Sequence, residues 1–519
     1  MEFVSYVLQK PLLLIGLMLP VVIWIYTRLS LMVKLRKIPG HWLSRLTEIP
    51  HILALLREDC SRWYTETNQK YGKHVGPLAV VSPGILTTSS GDLWAHMNRA
   101  PGYMKSKWFY RSVRFDWRQD NVFTELDIEK HDTRRAKIIS GYSGRENLTL
   151  ESDIDICLTQ LMSLIRTGYA NGRTPMDLAE KLQFFALDVI SCIGFGKRFG
   201  LLEADEDPDE HIKSTEAGLR INNRQLALGT WWMNWLPFIG PRMEVADLKT
   251  AKGFEKMCAL SAEITEAREK AFQEQKEAGV INRADMLTSF MKNGLSGSEL
   301  KTDVILQIVA GSDTTGGSLR CIFLYIMTNP RVYKKLQMEI DDAVRSGKAP
   351  STPEVISYAQ AKQLPYLKAV IREGNQICPP FNNPLARDTP PGGDTVIIEG
   401  ETVYLPGGIS IFPSFTAIQR SKTVFGDDAD VFRPERWLEE PDESKLEAMK
   451  RTNDLLFGYG RWQCLGKNIA LLELSKAIFE LLKNFDWGII NPETPWKMAT
   501  LTGLRSISDF WVQVEARGS

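Results

Sequence analysis

From Pro11 to Val33 the chain reads PLLLIGLMLPVVIWIYTRLSLMV, an almost unbroken apolar run. As a helix it spans about 34 Å, enough for a hydrocarbon core of about 30 Å. Pro20 is tolerated inside a membrane helix, and Arg28 near the far end can snorkel to the headgroups. The alternative is a cleaved signal peptide; against it stand the length of the run and the lack of a small-x-small cleavage site. Lys10 alone is basic ahead of the run, whereas Arg28, Lys34, Arg36 and Lys37 crowd its far end. Positive-inside logic therefore leaves the rest of the chain in the cytosol, with the endoplasmic reticulum as the expected single-pass membrane. Ile38-Pro39-Gly40 breaks the helix and reads as a hinge. The expected organisation is an anchor and hinge over residues 1–38 and one large globular unit over 39–519.

Helical periodicity returns late in the chain. Ser296-Gly297-Ser298-Glu299 is a capping-box pattern ahead of an apolar run, which predicts a long helix from about Glu299 to Thr328, stopping before Asn329-Pro330. Its middle, Ala310-Gly311-Ser312-Asp313-Thr314-Thr315, breaks helix rules: Gly costs about 1 kcal/mol against Ala, and Asp and Thr compete for backbone hydrogen bonds. Such a violation often marks function. Ile469, Leu472, Ile478, Phe479 and Leu482 predict another helix over Lys467–Phe485. Alternating runs around Ser82-Pro83-Gly84 (Val75 to Thr88) and from Asp394 to Leu405 predict two hairpins. The patch Trp231-Trp232-Met233-Asn234-Trp235-Leu236-Pro237-Phe238-Ile239 suits lipid contact and a buried inter-helix loop equally.

Composition narrows the class. At 519 residues the chain exceeds one ordinary domain, yet no linker, like-charge block or repeat divides it, so one large, mostly helical globule is expected. A formal net charge of +0 implies no general attraction to nucleic acid. The seven cysteines (60, 157, 192, 258, 321, 378, 464) are scattered, odd in number and free of C-x-x-C, which disfavours zinc ribbons and a disulfide framework and points to a reducing compartment. Six dispersed histidines lack metal-ligand spacing, and the sequon Asn147-Leu148-Thr149 reads as chance.

The chemistry concentrates in Phe457-Gly458-Tyr459-Gly460-Arg461-Trp462-Gln463-Cys464-Leu465-Gly466. Glycines around a lone cysteine imply close approach or positive φ. Cys464 falls just before a helix N-terminus, where dipole and free N–H groups lower a thiol pKa toward the thiolate that an axial metal ligand requires. The other reading is a buried structural cysteine.

This segment resembles the haem-binding loop of the cytochrome P450 family, F-x-x-G-x-R-x-C-x-G. Phe457, Gly460, Cys464 and Gly466 match; Trp462 stands where the family has arginine, with Arg461 displaced by one. Ala310–Thr315 matches the family's A/G-G-x-D/E-T-T oxygen-activation motif. Phe432-Arg433-Pro434-Glu435-Arg436-Trp437 is similar to its P-E-R-F segment. Glu373-Gly374-Asn375-Gln376 resembles E-x-x-R with glutamine replacing the arginine, leaving Arg436 to pair with Glu373 alone. The order of motifs is right throughout, and the loop sequences resemble the fungal pisatin-demethylase-like branch.

The resemblance implies a mainly α fold with a small, mostly antiparallel β sheet. It implies haem b (iron protoporphyrin IX) held by Cys464, whose thiolate favours O–O cleavage. Thr314 would hydrogen-bond the oxygen ligand and Asp313 would gate proton entry, two protons being needed in a dry pocket. His131 and Arg135, four apart on one helical face, match a propionate-binding W/H-x-x-x-R pattern, and Arg387 matches another propionate contact. The substrate is expected to be a small hydrophobic molecule of secondary metabolism, lying against residues 103–110, Val309, Ala310, 381–385 and 501–504. With no G-x-G-x-x-G fingerprint, electrons are expected from a separate NADPH-cytochrome P450 reductase, with Lys467 and Arg461 as candidate contacts. A monomer is expected. The alternatives are a haem-thiolate isomerase, dehydratase or peroxygenase, and a non-catalytic haem or lipid binder.

Overall fold

A computed structural model describes residues 11–72, 77–170, 173–236, 250–279, 285–382 and 384–518, with side chains from Met18 onward. The helices that frame the site are α1 (Pro11–Lys34), α2 (Gly91–Arg99), α3 (Ile128–Ile138), α4 (Leu178–Phe195) and α5 (His211–Leu228). They continue with α6 (Phe254–Glu277), α7 (Gly297–Met327), α8 (Pro365–Ile377) and α9 (Lys467–Asn484). α4 is buried on every side except at Glu180, which makes it a core helix rather than an amphipathic one. It packs along α7, and α9 adds Leu474, Ala477, Ile478 and Leu481 to the same core.

The β structure is split among small sheets rather than gathered in one. The largest has the order β1-β2-β8-β5-β3, formed by Leu78–Ser82, Ile85–Thr88, Ser410–Pro413, Arg387–Asp388 and Met104–Lys105. Only β2 and β8 run parallel within it. β12 (Trp511–Ala516) lies between β4 (Met176–Asp177) and β9 (Phe485–Ile489). β6 (Asp394–Ile398) pairs with β7 (Glu401–Leu405), and β10 (Lys497–Leu501) with β11 (Leu504–Ser508). Both hairpins read from the sequence form, although residues 75 and 76 of the first lie outside the described residues.

Several local expectations change. The capping box at Ser296 is not made: its side chain caps nothing, and the Glu269 carboxylate of α6 accepts from the Gly297 N–H at 2.6 Å instead. The supposed hinge is docked, since Ile38 is buried and the Val80 N–H donates to the Pro39 carbonyl at 2.8 Å. Arg28 pairs with Glu48 of the globule. α1 exposes Met18, Leu19, Val21, Val22, Ile23 and Trp24 in sequence. Among the described residues no helix is long and apolar enough to cross a membrane. Asn147 is buried and donates to the Ile193 carbonyl, so folded chain cannot present it for glycosylation. Cys321 of α7 and Cys378, the C-cap of α8, form a disulfide, a single buried cross-link rather than a framework. Of the tryptophan patch, Trp231–Trp235 is a 3-10 turn with Trp232 and Trp235 exposed, and 237–239 lie outside the described residues.

Candidate functional site: the Cys464 loop and its neighbours

Cys464 sits between the 3-10 turn Gly460–Trp462 and α9, whose N-cap is Gly466. Its N–H donates to the Phe457 carbonyl at 2.7 Å, closing the loop on itself. Gly458 permits that closure: its φ is +75°, and a Cβ there would stand 2.6 Å from the Trp462 carbonyl oxygen. Gly460 is left-handed as well. A Cβ on Gly466 would face the Cys464 sulfur at 3.9 Å.

Cys464 is accessible although protein atoms crowd around it. Burial pushes its thiol above the ordinary value, opposed by the Gly466 N–H, the Arg135 charge, the Lys467 N–H and the Lys467 charge. The helix-end effect is therefore present but smaller than desolvation. A metal ion held by this sulfur would supply the charge that favours the thiolate.

Trp462 is the hub of a cationic cluster. The His131 ring centroid lies 4.4 Å from its own, the Lys105 Nζ lies 4.4 Å from it, and the Arg387 Cζ 5.1 Å. Arg387 donates to the Tyr110 hydroxyl at 2.5 Å and the Asn98 amide oxygen at 3.0 Å, while its Nε is buried with no acceptor. His131 Nδ1 meets Asp132 at 2.8 Å; burial, then the Lys105 charge, pushes the ring down to about 4, so it is neutral at ordinary pH. Burial lowers Arg135, half-buried on the same helix α3, against the pull of Cys464 and Asp132. Arg461 pairs with Asp132 at 3.2 Å, fastening the loop to α3.

On α7, Ala310 is open and Thr314 donates its hydroxyl to the Ala310 carbonyl at 2.7 Å, a back-bond within the helix. Asp313 turns toward α4, where its Oδ1 accepts from Gln183 Nε2 at 2.8 Å and its Oδ2 is buried without a donor. Burial raises its carboxyl to about 6, against the pull of Arg320 and Gln183. Arg320 Nη2 donates to Gln183 Oε1 at 2.6 Å, so a glutamine bridges carboxyl and guanidinium. Gly311 does not serve the open side: a Cβ there would lie 2.8 Å from Cδ1 and Cγ1 of Ile190 on α4. Its smallness is demanded by helix packing.

Comparison with known proteins decides what this arrangement belongs to. The family model "Cytochrome P450" matches residues 44–508. The chain belongs to the cytochrome P450 family. Among its relatives, "Cytochrome P450 monooxygenase ABA1" of Pyricularia oryzae is 36% identical over 495 residues, 93% of each chain. "Cytochrome P450 monooxygenase aba1" of Botryotinia fuckeliana is 33% identical over 430 residues, 82% of this chain and 81% of that one. "Pisatin demethylase" of Fusarium vanettenii is 27% identical over 471 residues, 89% of this chain and 85% of its own. The enzyme is a cytochrome P450 monooxygenase, and its cofactor is haem b.

The residues present fit that group. The loop offers an accessible thiol, and among the described residues the cluster beside it holds Lys105 and Arg387 with no carboxylate in ion-pair contact and the Arg387 Nε without an acceptor, which matches a dianionic macrocycle. The P450 scaffold beneath also tolerates its missing arginine. Glu373, fully buried, accepts from both directions: Arg436 Nε at 3.1 Å to each oxygen, Trp437 Nε1 at 2.8 Å and the Arg433 N–H at 2.6 Å. Burial raises Glu373 to about 7, chiefly against Arg436. Arg436 also reaches Asp428 at 2.9 Å, so Glu373 is not its sole partner. Gln376 donates to the Gln419 and Ala429 carbonyls and leaves its Oε1 unpaired.

Other expected contacts move. Tyr103 is buried with its hydroxyl donating to Asp394 at 2.9 Å, Tyr110 serves Arg387, and Val309 is core, so these do not offer a substrate wall. Phe381 bridges to Leu504 and stays half-buried, as does Leu385; residue 383 lies outside the described residues. Lys467 pairs with Asp454 at 2.9 Å, so neither guessed reductase contact is an unpaired cation. Lys105, Gln183 and Arg320 were not singled out from sequence. The only signal for the last two is a polar residue inside an otherwise buried apolar helix.

Proposed function

We propose that this P450 is a membrane-bound monooxygenase that oxidises a small hydrophobic molecule of fungal secondary metabolism, with electrons from NADPH delivered by a separate reductase. The observation that carries the reading is the accessible Cys464 thiol in a glycine-closed loop at the N-terminus of α9. Haem b supplies the redox chemistry that splits dioxygen and oxidises the substrate. Cys464 holds the iron, with Phe457, Gly460 and Gly466 shaping the loop around the sulfur. Arg135 and Arg387 hold the carboxylates, with His131 packed beside them. The Thr314 hydroxyl orders a proton donor over the open stretch at Ala310, and Asp313, poised near pH 6, takes and releases protons from the α4 side.

Membrane association is supported by apolar exposure in three neighbouring places: α1, the short helices Trp42–Leu46 and Ile49–Leu56, and the end of α5 with its tryptophans. Trp42, Ile49, Leu53, Leu56, Leu228, Trp232 and Trp235 are all exposed. The endoplasmic reticulum with the globule in the cytosol is the location this favours. Fungal relatives of matching length, a pisatin demethylase among them, support the substrate class.

A reduced-minus-CO difference spectrum tests the site: the red-shifted Soret band of a thiolate-ligated haem is expected, and its absence from folded, haem-loaded protein would sink the reading. Thr314→Ala should raise peroxide release per NADPH consumed; unchanged coupling would remove Thr314 from proton delivery.

A further inference from the structure

A second hollow, of about 370 Å³, lies between α5, α6, α7 and the connection that leaves α4. Small-molecule sites span roughly 300–1,000 Å³, so it is large enough for a ligand. On α7 it is lined by Ile308, two positions before Ala310. Each helical residue turns the side-chain direction by about 100°, so two positions turn it about 200°. The hollow therefore sits across α7 from the open stretch at Ala310, apart from the Cys464 site.

Its walls suit a flat, apolar body. Phe195, Phe199 and His211 form a run of rings: centroids are 6.3 Å apart in the first pair and 4.3 Å in the second, which is nearly parallel at 12°. Burial lowers the pKa of the His211 ring and the Lys256 charge adds to this, against Asp207 and Asp209, so the imidazole serves as one more neutral ring. Met257, Leu260 and Ile264 of α6 complete the apolar lining.

The polar groups on the same walls call for an anion. Lys197, Arg198, Lys256 and Arg268 line the hollow against two carboxylates, Asp209 and Glu263. Arg268 is paired with Asp285, and Asp209 lies 4.0 Å from His211 Nε2. Among the described residues the side chains of Lys197, Arg198 and Lys256 make no ion pair or hydrogen bond. The Ser214 hydroxyl, on α5 and 2% exposed, also has no partner there. A buried hydroxyl without an acceptor is costly, and a carboxylate offers one. We propose that this hollow is a second binding site, built for an aromatic organic acid. The carboxylate accepts from Ser214 within the field of Lys197, Arg198 and Lys256, and the ring system lies against Phe195, Phe199 and His211.

The test is a calorimetric titration of the full-length, haem-loaded enzyme in lipid nanodiscs with 1-naphthoate, using empty nanodiscs as the blank. Clotrimazole is added first, so that its azole nitrogen on the iron closes the haem pocket. One naphthoate per enzyme should still bind. The uncharged 1-naphthalenemethanol, with the same rings, should bind at least roughly tenfold more weakly, the worth of a charge-assisted hydrogen bond. Lys256→Glu should weaken naphthoate roughly tenfold, and Ser214→Ala roughly two- to tenfold. Leu260→Trp should fill the hollow and abolish binding, while the CO difference spectrum of each variant stays as in wild type. The proposal is overturned if clotrimazole blocks naphthoate, if the alcohol binds as tightly as the acid, or if K256E and L260W bind like wild type.

Discussion

Gly311→Ala separates two reasons for a glycine in the middle of α7. If the residue is small so that a flat macrocycle can approach, alanine should disturb haem and spare stability. The structure gives the other reason: the new methyl would lie 2.8 Å from Cδ1 and Cγ1 of Ile190 and 3.2 Å from its Cβ. The chain terminus of Ile190 can swing aside, but its Cβ is fixed to α4, so the helices must part or strain. Overpacking of this kind costs about 1–3 kcal/mol, and alanine regains about 1 kcal/mol of helix propensity. The net expectation is a loss of about 1 kcal/mol. In an Ile190→Ala background the steric cost disappears and only propensity remains, so the same change should stabilise by about 1 kcal/mol. Ile190→Ala itself should cost about 2–5 kcal/mol, because the side chain is buried. Urea midpoints of the four proteins at fixed haem concentration, with unchanged slopes, give the cycle. A stabilising Gly311→Ala in the wild-type background, or no reversal of sign in the Ile190→Ala background, would refute the packing account.

Other outcomes follow from the same coordinates. Asp313 is raised to about 6 by burial, so it is protonated below that pH and ionised above it; product formed per NADPH should fall as pH rises through about 6, and Asp313→Asn should flatten the profile. A raised folded-state value also means stability is lost as pH climbs from the ordinary 3.8 through about 6; in Asp313→Asn the urea midpoint should lose that part of its pH slope. Arg436→Met strands Glu373 as a buried carboxylate and should cost about 3–5 kcal/mol, read as a lower thermal midpoint, with Glu373→Gln in the same chain recovering part of it. Gln376→Ala removes the donor shared by the Gln419 and Ala429 carbonyls and should cost about 2–4 kcal/mol in a urea titration; no loss would mean water replaces it fully.

Local chemistry was legible in the chain without coordinates. The long helix, the helix after Cys464 and both hairpins follow from periodicity and turn residues, because those depend on neighbours a few positions away. The family resemblance, carried by motif order, gave the haem b cofactor and the monooxygenase class. Local pattern failed where a distant element supplied the competitor. The Ser296 side chain makes no cap while Glu269 of α6 takes the Gly297 N–H, and the fall in thiol pKa expected at a helix start was outweighed by enclosure.

What only the tertiary structure decided is which partners meet. Gly311 reads in sequence as a helix-rule violation that marks function, and only the fold sets Ile190 against it. Lys105 sits in a stretch read for substrate contact, and nothing near it in sequence places it over Trp462 or opposite Arg387. Asp313 titrates near 6 because α4 buries it and brings Gln183 to one oxygen only. Covalent order and periodicity set the elements and the candidate ligand; desolvation and charge compensation depend on every atom within several ångströms, and those atoms come from segments hundreds of residues apart.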